Sequence, residues 1–123
     1  MLWCDSGMDF DSFVLVRLVR PDDAVRLPPE DARRIQDAHL AHLHELHADG
    51  ELLAAGPSIG GQEGVRGFAI MTIDLEQARQ RWAEDPAVRA GVFVAELEPW
   101  SVPAAMIIPG TGIPPRSSAE ATS

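Results

Sequence analysis

One long helical pattern dominates this chain, and everything around it has to accommodate it. Pro28-Pro29 opens the pattern, and Glu30 and Asp31 fill the first turn, where the helix dipole favours acids. Gly50 stands where a helix ending near Asp49 needs a left-handed residue. At about 100° per residue, Ala32, Ile35, Leu43 and Leu46 share one side, which has to face a core. His39 falls in the middle of that apolar stripe, with His47 near one edge and His42 near the other. His44 points the opposite way, toward solvent. The helix therefore holds every histidine of the protein, in four different environments.

The segments on either side read as strands. Phe13–Val19 is dense in β-branched and aromatic residues and apolar on both faces except at Arg17, so both faces are expected to be covered. Glu51–Ala55 is a short strand ended by Gly56-Pro57, and Ser58–Gly67 reads as a flexible, glycine-rich loop. Phe68–Ile73 is the next strand. Asp74 is an N-cap, with Gln77 placed to complete a capping box, for a second helix whose Leu75, Ala78 and Trp82 share a face. Asp85-Pro86 stops that helix, and Val92–Leu97 is a last strand closed by Pro99-Trp100.

The order is β-α-β-β-α-β. It predicts an α+β, ferredoxin-like plait, an antiparallel sheet with two helices on one face. The uncovered sheet face has few polar positions, so a homodimer packed sheet to sheet is the expected assembly. Residues 1–12 read as an N-terminal extension and 13–100 as the domain. Residues 101–123 form a tail in which Val102–Ile108 could still pack, with disorder expected from Pro109 onward.

Composition excludes several classes of function. A chain of 123 residues supports one domain with a single core. A formal charge of −9 and the absence of any basic cluster argue against a nucleic-acid partner. Cys4 is the only cysteine, so neither an internal disulfide nor a multi-cysteine zinc site can form. There is no signal-peptide pattern, and no apolar stretch approaches the ~20 residues a membrane span needs. The expected protein is cytoplasmic and free of membrane.

Three readings of His39 stand side by side. It is a core histidine satisfied by hydrogen bonds, a general acid or base, or a metal ligand. The second suits an imidazole, which exchanges protons near neutral pH, and requires an orienting carboxylate and an open pocket. For the third, His39/His42 and His44/His47 each lie one turn apart. Both spacings fall short of the His-Glu-x-x-His pattern, and no metal or other cofactor is expected.

Asp85 reads first as the cap of a short turn beginning at Pro86, although its carboxylate could also reach an imidazole on the other helix. Arg17, inside an apolar strand, is either an ion-pair partner or an anion anchor in a cavity. Ser58, at the rim of the loop, and His47 are further candidates for touching a substrate. Gly60-Gly61 and Gly64 do not make a phosphate loop, since no Lys-Ser/Thr and no helix start follow them. Gly56-Pro-Ser-Ile-Gly60 matches a nucleophile elbow in letters only, because the proline and the hairpin context contradict strand-turn-helix geometry.

Two stretches carry a family resemblance. His39-Leu-x-x-Leu43-x-x-Leu46-His47-x-x-Gly50-x-Leu52-Leu53-x-Ala55-Gly56-Pro57 resembles the core of the YCII-related family. Glu84-Asp85-Pro86, Ala90-Gly91-Val92 and Glu98-Pro99-Trp100 are similar to its second block. The resemblance spans Phe13 to Trp100. It implies a dimeric α/β-barrel of two plaits, and a pocket whose histidine–aspartate pair falls on His39 and Asp85. Some relatives are dehydrochlorinases acting on chlorinated aromatic ring-cleavage or hydroquinone intermediates. The wider superfamily includes muconolactone isomerases and cofactor-free monooxygenases. The family often places a tyrosine or another aromatic on the first strand, whereas this chain has no tyrosine and has Arg17 there.

Two functions follow as expectations. One is a cofactor-independent lyase or isomerase moving a proton on a small cyclic or enolisable substrate, with monooxygenation of a self-activating substrate as a variant. The other is a non-catalytic dimeric module that binds a small ligand or another protein.

Overall fold

The computed structural model describes residues 7–122. Cys4 and the first six residues of the expected N-terminal extension lie outside the described residues. The elements are β1 (Phe10–Val19), α1 (Pro29–Ala48), β2 (Leu52–Pro57), a 3-10 turn (Gln62–Gly64) and β3 (Val65–Met71). They continue with α2 (Leu75–Ala83), a short α3 (Pro86–Arg89), β4 (Val94–Pro103) and α4 (Ser118–Thr122). The sheet runs β2-β3-β1-β4 with every pairing antiparallel, which is the plait the element order predicts.

The local signals act as the sequence suggests. Gly50 adopts φ +78°, and its N–H bonds His47 O while Glu51 N–H bonds Leu46 O, so α1 ends in a Schellman motif. Asp74 caps α2 by accepting from Gln77 N–H at 2.8 Å. Val14, Val16 and Leu18 of β1 alternate inward and meet Leu43, Leu46, Ala78 and Trp82 from the helices. Leu46 and Met71 are completely buried. Burial of a side chain of that size stabilises the fold by about 1.5–3 kcal/mol. Ala32, expected on the buried stripe, is exposed. His44 is half-buried rather than fully in solvent.

Four expected strand boundaries are corrected. β4 does not close at Pro99-Trp100 but continues to Pro103, and β1 begins at Phe10 rather than Phe13. The reason is mutual: Phe10, Asp11 and Ser12 pair with Pro103, Val102 and Ser101. β4 is an edge strand, where a proline can turn its missing N–H away from the ladder. Gly56-Pro57 does end β2, the opposite edge, but as its last two paired residues rather than as a break after Ala55. β3 takes in Val65–Gly67, which read as loop.

Beyond Pro109, where disorder was expected, the chain turns back onto α1. Ser118 N–H donates to Asp37 Oδ1 at 2.8 Å, and this bond holds the Asp37 carboxyl below the usual range. α4 then lies beside the long helix.

Arg81 fastens α2 to the end of α1 and the start of β2. It pairs with Glu51 at 2.7 Å, Asp49 at 3.0 Å and Glu84 at 3.1 Å, and its carbonyl accepts His42 Nε2–H at 3.0 Å. Among the described residues, no helix is long and apolar enough to cross a membrane.

Candidate active site

The site is built where α1 passes the short helix α3. Pro86 begins α3 and Asp85 caps it, with Oδ2 accepting from Ala87 N–H at 3.1 Å and Val88 N–H at 3.2 Å. That capping geometry leaves Oδ1 facing α1, and His39 Nδ1 lies 2.7 Å from it. Both side chains are buried, the imidazole 6% exposed and the carboxylate 0%. The structural and the chemical readings of Asp85 therefore hold together: one oxygen caps, the other orients a histidine.

This arrangement fixes the proton on the ring. Asp85 presents acceptors, so the atom facing Oδ1 is Nδ1–H. Nε2 is then bare in the neutral ring. It makes no hydrogen bond to the described residues and is not among the fully buried orphan atoms. The ring forms part of the wall of a cavity of about 380 Å³, together with Leu40, Leu43, Ala69 and Trp82. Phe93 meets the ring edge-on at 5.8 Å between centroids, and Trp82 lies at 6.5 Å.

A base held from behind and bare toward an apolar hollow is suited to taking a proton from a bound molecule and returning it. The other outcome open to a core histidine, a ring satisfied by backbone with no space beside it, is not what the structure holds. His42 does take that form, with its Nε2–H on Arg81 O. His39 and His42 thus spend their rings on different partners. Among the described residues, no group of three or more His, Cys, Asp and Glu is placed to hold a metal ion.

The other candidates do not join the pair. Arg17 alternates with Val16 and Leu18 and so projects from the outer sheet face, where it pairs with Glu96 at 2.7 Å. Its place is that of an ion-pair partner, not an anchor in the cavity. Ser58 shapes the turn after β2, its Oγ accepting Gly61 N–H at 3.3 Å, and it is not part of the cavity wall. His47 lies two turns beyond His39, and its carbonyl serves the helix stop.

Sequence reasoning treated Trp82 as packing, and it missed Phe93 and the tail. Pro114, Pro115, Ser118 and Ala121 close one side of the cavity. Trp82 Nε1 is buried without an acceptor among the described residues. Such a group costs about 1–3 kcal/mol until something accepts its proton.

A sequence profile of the YCII-related domain matches residues 13–101. The chain belongs to the YCII-related family. Protein YciI of Escherichia coli O6:H1 (strain CFT073) is 42% identical over an alignment covering 48% of this chain and 68% of that relative. Protein YciI of Shigella flexneri gives the same figures. Among solved structures, the chain is similar to 5-chloro-2-hydroxyhydroquinone dehydrochlorinase (TftG) from Burkholderia phenoliruptrix AC1100, in complex with 2,5-dihydroxybenzoquinone. The TM-score is 0.51 at 26% identity, covering 72% of this chain and 92% of that one. The matched domain contains both His39 and Asp85. The segment of this YCII-related protein that closes the cavity, from Pro114 onward, lies beyond the match.

Proposed function

We propose that this YCII-related protein is a cofactor-independent lyase or isomerase of the cytoplasm that uses His39 to move a proton on a small cyclic or enolisable substrate. One observation carries the reading: a buried imidazole held at Nδ1 by Asp85 Oδ1 at 2.7 Å, with Nε2 left without a hydrogen bond to the described residues in a residue that lines a cavity of about 380 Å³. Nε2 takes a proton from a C–H beside a carbonyl, or from a ring hydroxyl. The electron pair left behind enters the new π bond. In isomerisation the same nitrogen returns the proton to another carbon. In elimination the proton is first placed on the chlorine-bearing ring carbon, and chloride then leaves with the electrons of its C–Cl bond as a hydroxyl proton is lost. Both reactions are redox-neutral, so neither calls for an oxidant. Asp85 fixes the ring orientation and stabilises the imidazolium once it forms. The likeness to a dehydrochlorinase supports the elimination branch.

General acid–base action of this kind supplies about 10²–10⁴-fold, and holding the substrate in the hollow supplies the remainder. The test is His39→Gln assayed with 5-chloro-2-hydroxyhydroquinone and a panel of enol-lactones with and without a carboxylate. Turnover by the native protein should fall at least about 10²-fold in the variant. A variant as active as the native protein refutes the reading, and so does a native protein inert toward the whole panel.

The reading includes a homodimer joined through the outer sheet face. Trp100 there is 40% exposed and Phe68 52% exposed, an apolar surface broken by the Arg17–Glu96 pair. Covering it with a second copy would extend the two sheets into the dimeric barrel. Trp100→Glu would place a desolvated carboxylate at that contact, so sedimentation should show a dimer for the native protein and a monomer for the variant. A native monomer refutes the assembly.

A further inference from the structure

Ten arginines serve a chain of net charge −9. Arg17, Arg34, Arg81 and Arg116 are ion-paired with carboxylates. Among the described residues the other six have no carboxylate partner within ion-pair distance, and four of those six converge on one region. Arg20, Arg26 and Arg33 line a cleft of about 760 Å³. Arg66 lines the His39 cavity, and with Arg20 and Arg26 it also lines a smaller polar hollow of about 310 Å³.

The large cleft adjoins the His39 cavity, with Gln36, Phe93 and Ser118 as shared walls. No carboxylate lines either of these two spaces. Two acids lie close by. Asp37, close enough to Arg33 to feel its charge, is taken by Ser118 N–H, and Asp22 lines only the smaller hollow. In a protein with nineteen acids, arginines gathered around an open space without a carboxylate in ion-pair distance are suited to receive an anion. The remaining walls, including Val25, Leu27 and Val92, are apolar. Inorganic anions gain nothing from such walls, whereas an organic acid does.

We propose that this cleft seats the anionic end of the substrate, so that the molecule presented to His39 is an organic carboxylate with a compact apolar or aromatic body. The inference rests on the proton-transfer reading of His39 and names the substrate class for it. The carboxylate takes guanidinium hydrogen bonds from Arg26 and Arg33 at the mouth. The body lies along Phe93, and the reacting carbon reaches Nε2.

The test uses binding and is independent of turnover. Calorimetry compares 2,5-dihydroxybenzoate with hydroquinone, the same ring without its carboxylate, and with inorganic phosphate. It is run at about 0.15 M salt, where loose surface attraction is screened. The native protein should prefer the carboxylate over both others by about tenfold or more, the effect of at least one charge-assisted contact.

The exposed double variant Arg26→Gln/Arg33→Gln should lose that preference. Arg79→Gln/Arg89→Gln, with the same change in net charge, should keep it. His39→Gln should also keep it while losing turnover. Absence of carboxylate binding, equal binding of hydroquinone or phosphate, or an equal loss in the Arg79/Arg89 variant overturns the proposal. If the preference is absent while His39→Gln still abolishes turnover, only the substrate class falls. If the preference is present while His39→Gln turns over normally, the anion seat stands and the proton-transfer reading falls.

Discussion

Asp85→Asn is expected to lower turnover by about 10³–10⁴-fold without unfolding the protein, because it inverts the proton on His39. The two oxygens of Asp85 have separate duties, Oδ2 on Ala87 and Val88 N–H and Oδ1 on His39 Nδ1. An amide has a single oxygen. If it stays on the two backbone donors, the NH₂ faces Nδ1 and forces that atom to accept. The ring proton then moves to Nε2, the atom that has to be bare to act as a base. The flipped amide would set its NH₂ against two N–H donors and lose the cap, at a cost of about 0.5–2 kcal/mol.

Long-range ¹H–¹⁵N spectra of the imidazole read the tautomer directly, beside kcat and a thermal melt. Asp85→Ala supplies the contrast. It removes the cap and orphans Nδ1–H, and should cost about 2–4 kcal/mol of stability. An Asn variant with the native tautomer and reduced activity, or with the inverted tautomer and full activity, would falsify the orienting role.

Gly64→Ala is expected to lower stability by about 3 kcal/mol, or about 10 °C in Tm. Gly64 has φ +77°, and a Cβ there would stand 2.6 Å from the carbonyl oxygen of Arg20. The left-handed conformation alone costs an alanine about 1–2 kcal/mol. The clash adds to it because the obstacle is backbone, locked by the 2.8 Å hydrogen bond from Arg20 N–H to Gly64 O. Relief would have to pull the end of β1 away from the turn, and with it Arg20. Gly110→Ala meets nothing within 4 Å and has no positive φ, so it serves as the control. A Gly64→Ala melt within about 2 °C of native would show that the turn yields freely.

The parts of this fold that could be read from the sequence were those set by local chemistry. The Gly50 stop, the Asp74 cap and the Pro86 start depend on a few neighbouring residues, and each appears where its chemistry puts it. The pairing of Phe10–Ser12 with Ser101–Pro103 joins residues some ninety positions apart, and no local periodicity announces it. Arg17 was harder because apolar neighbours on both sides hid the two-residue alternation that turns it outward. His39 was legible as an anomaly, a titratable ring on a buried stripe, and Asp85 as a cap. Their approach to 2.7 Å depended on how two helices pack, which composition and spacing do not encode. The wall made by Pro114, Pro115 and Ser118 was out of reach for the same reason, since a proline-rich segment without repeat gives no hint of what it will lean on.

That wall has a consequence for how such a protein diversifies. The His39–Asp85 pair sits inside the stretch matched by the domain profile, while the segment that lines one side of the hollow follows it. Tail grafts between relatives would therefore change which molecules are admitted without disturbing the chemistry inside. A proton site and an entrance drawn from separate stretches of chain can be altered one at a time.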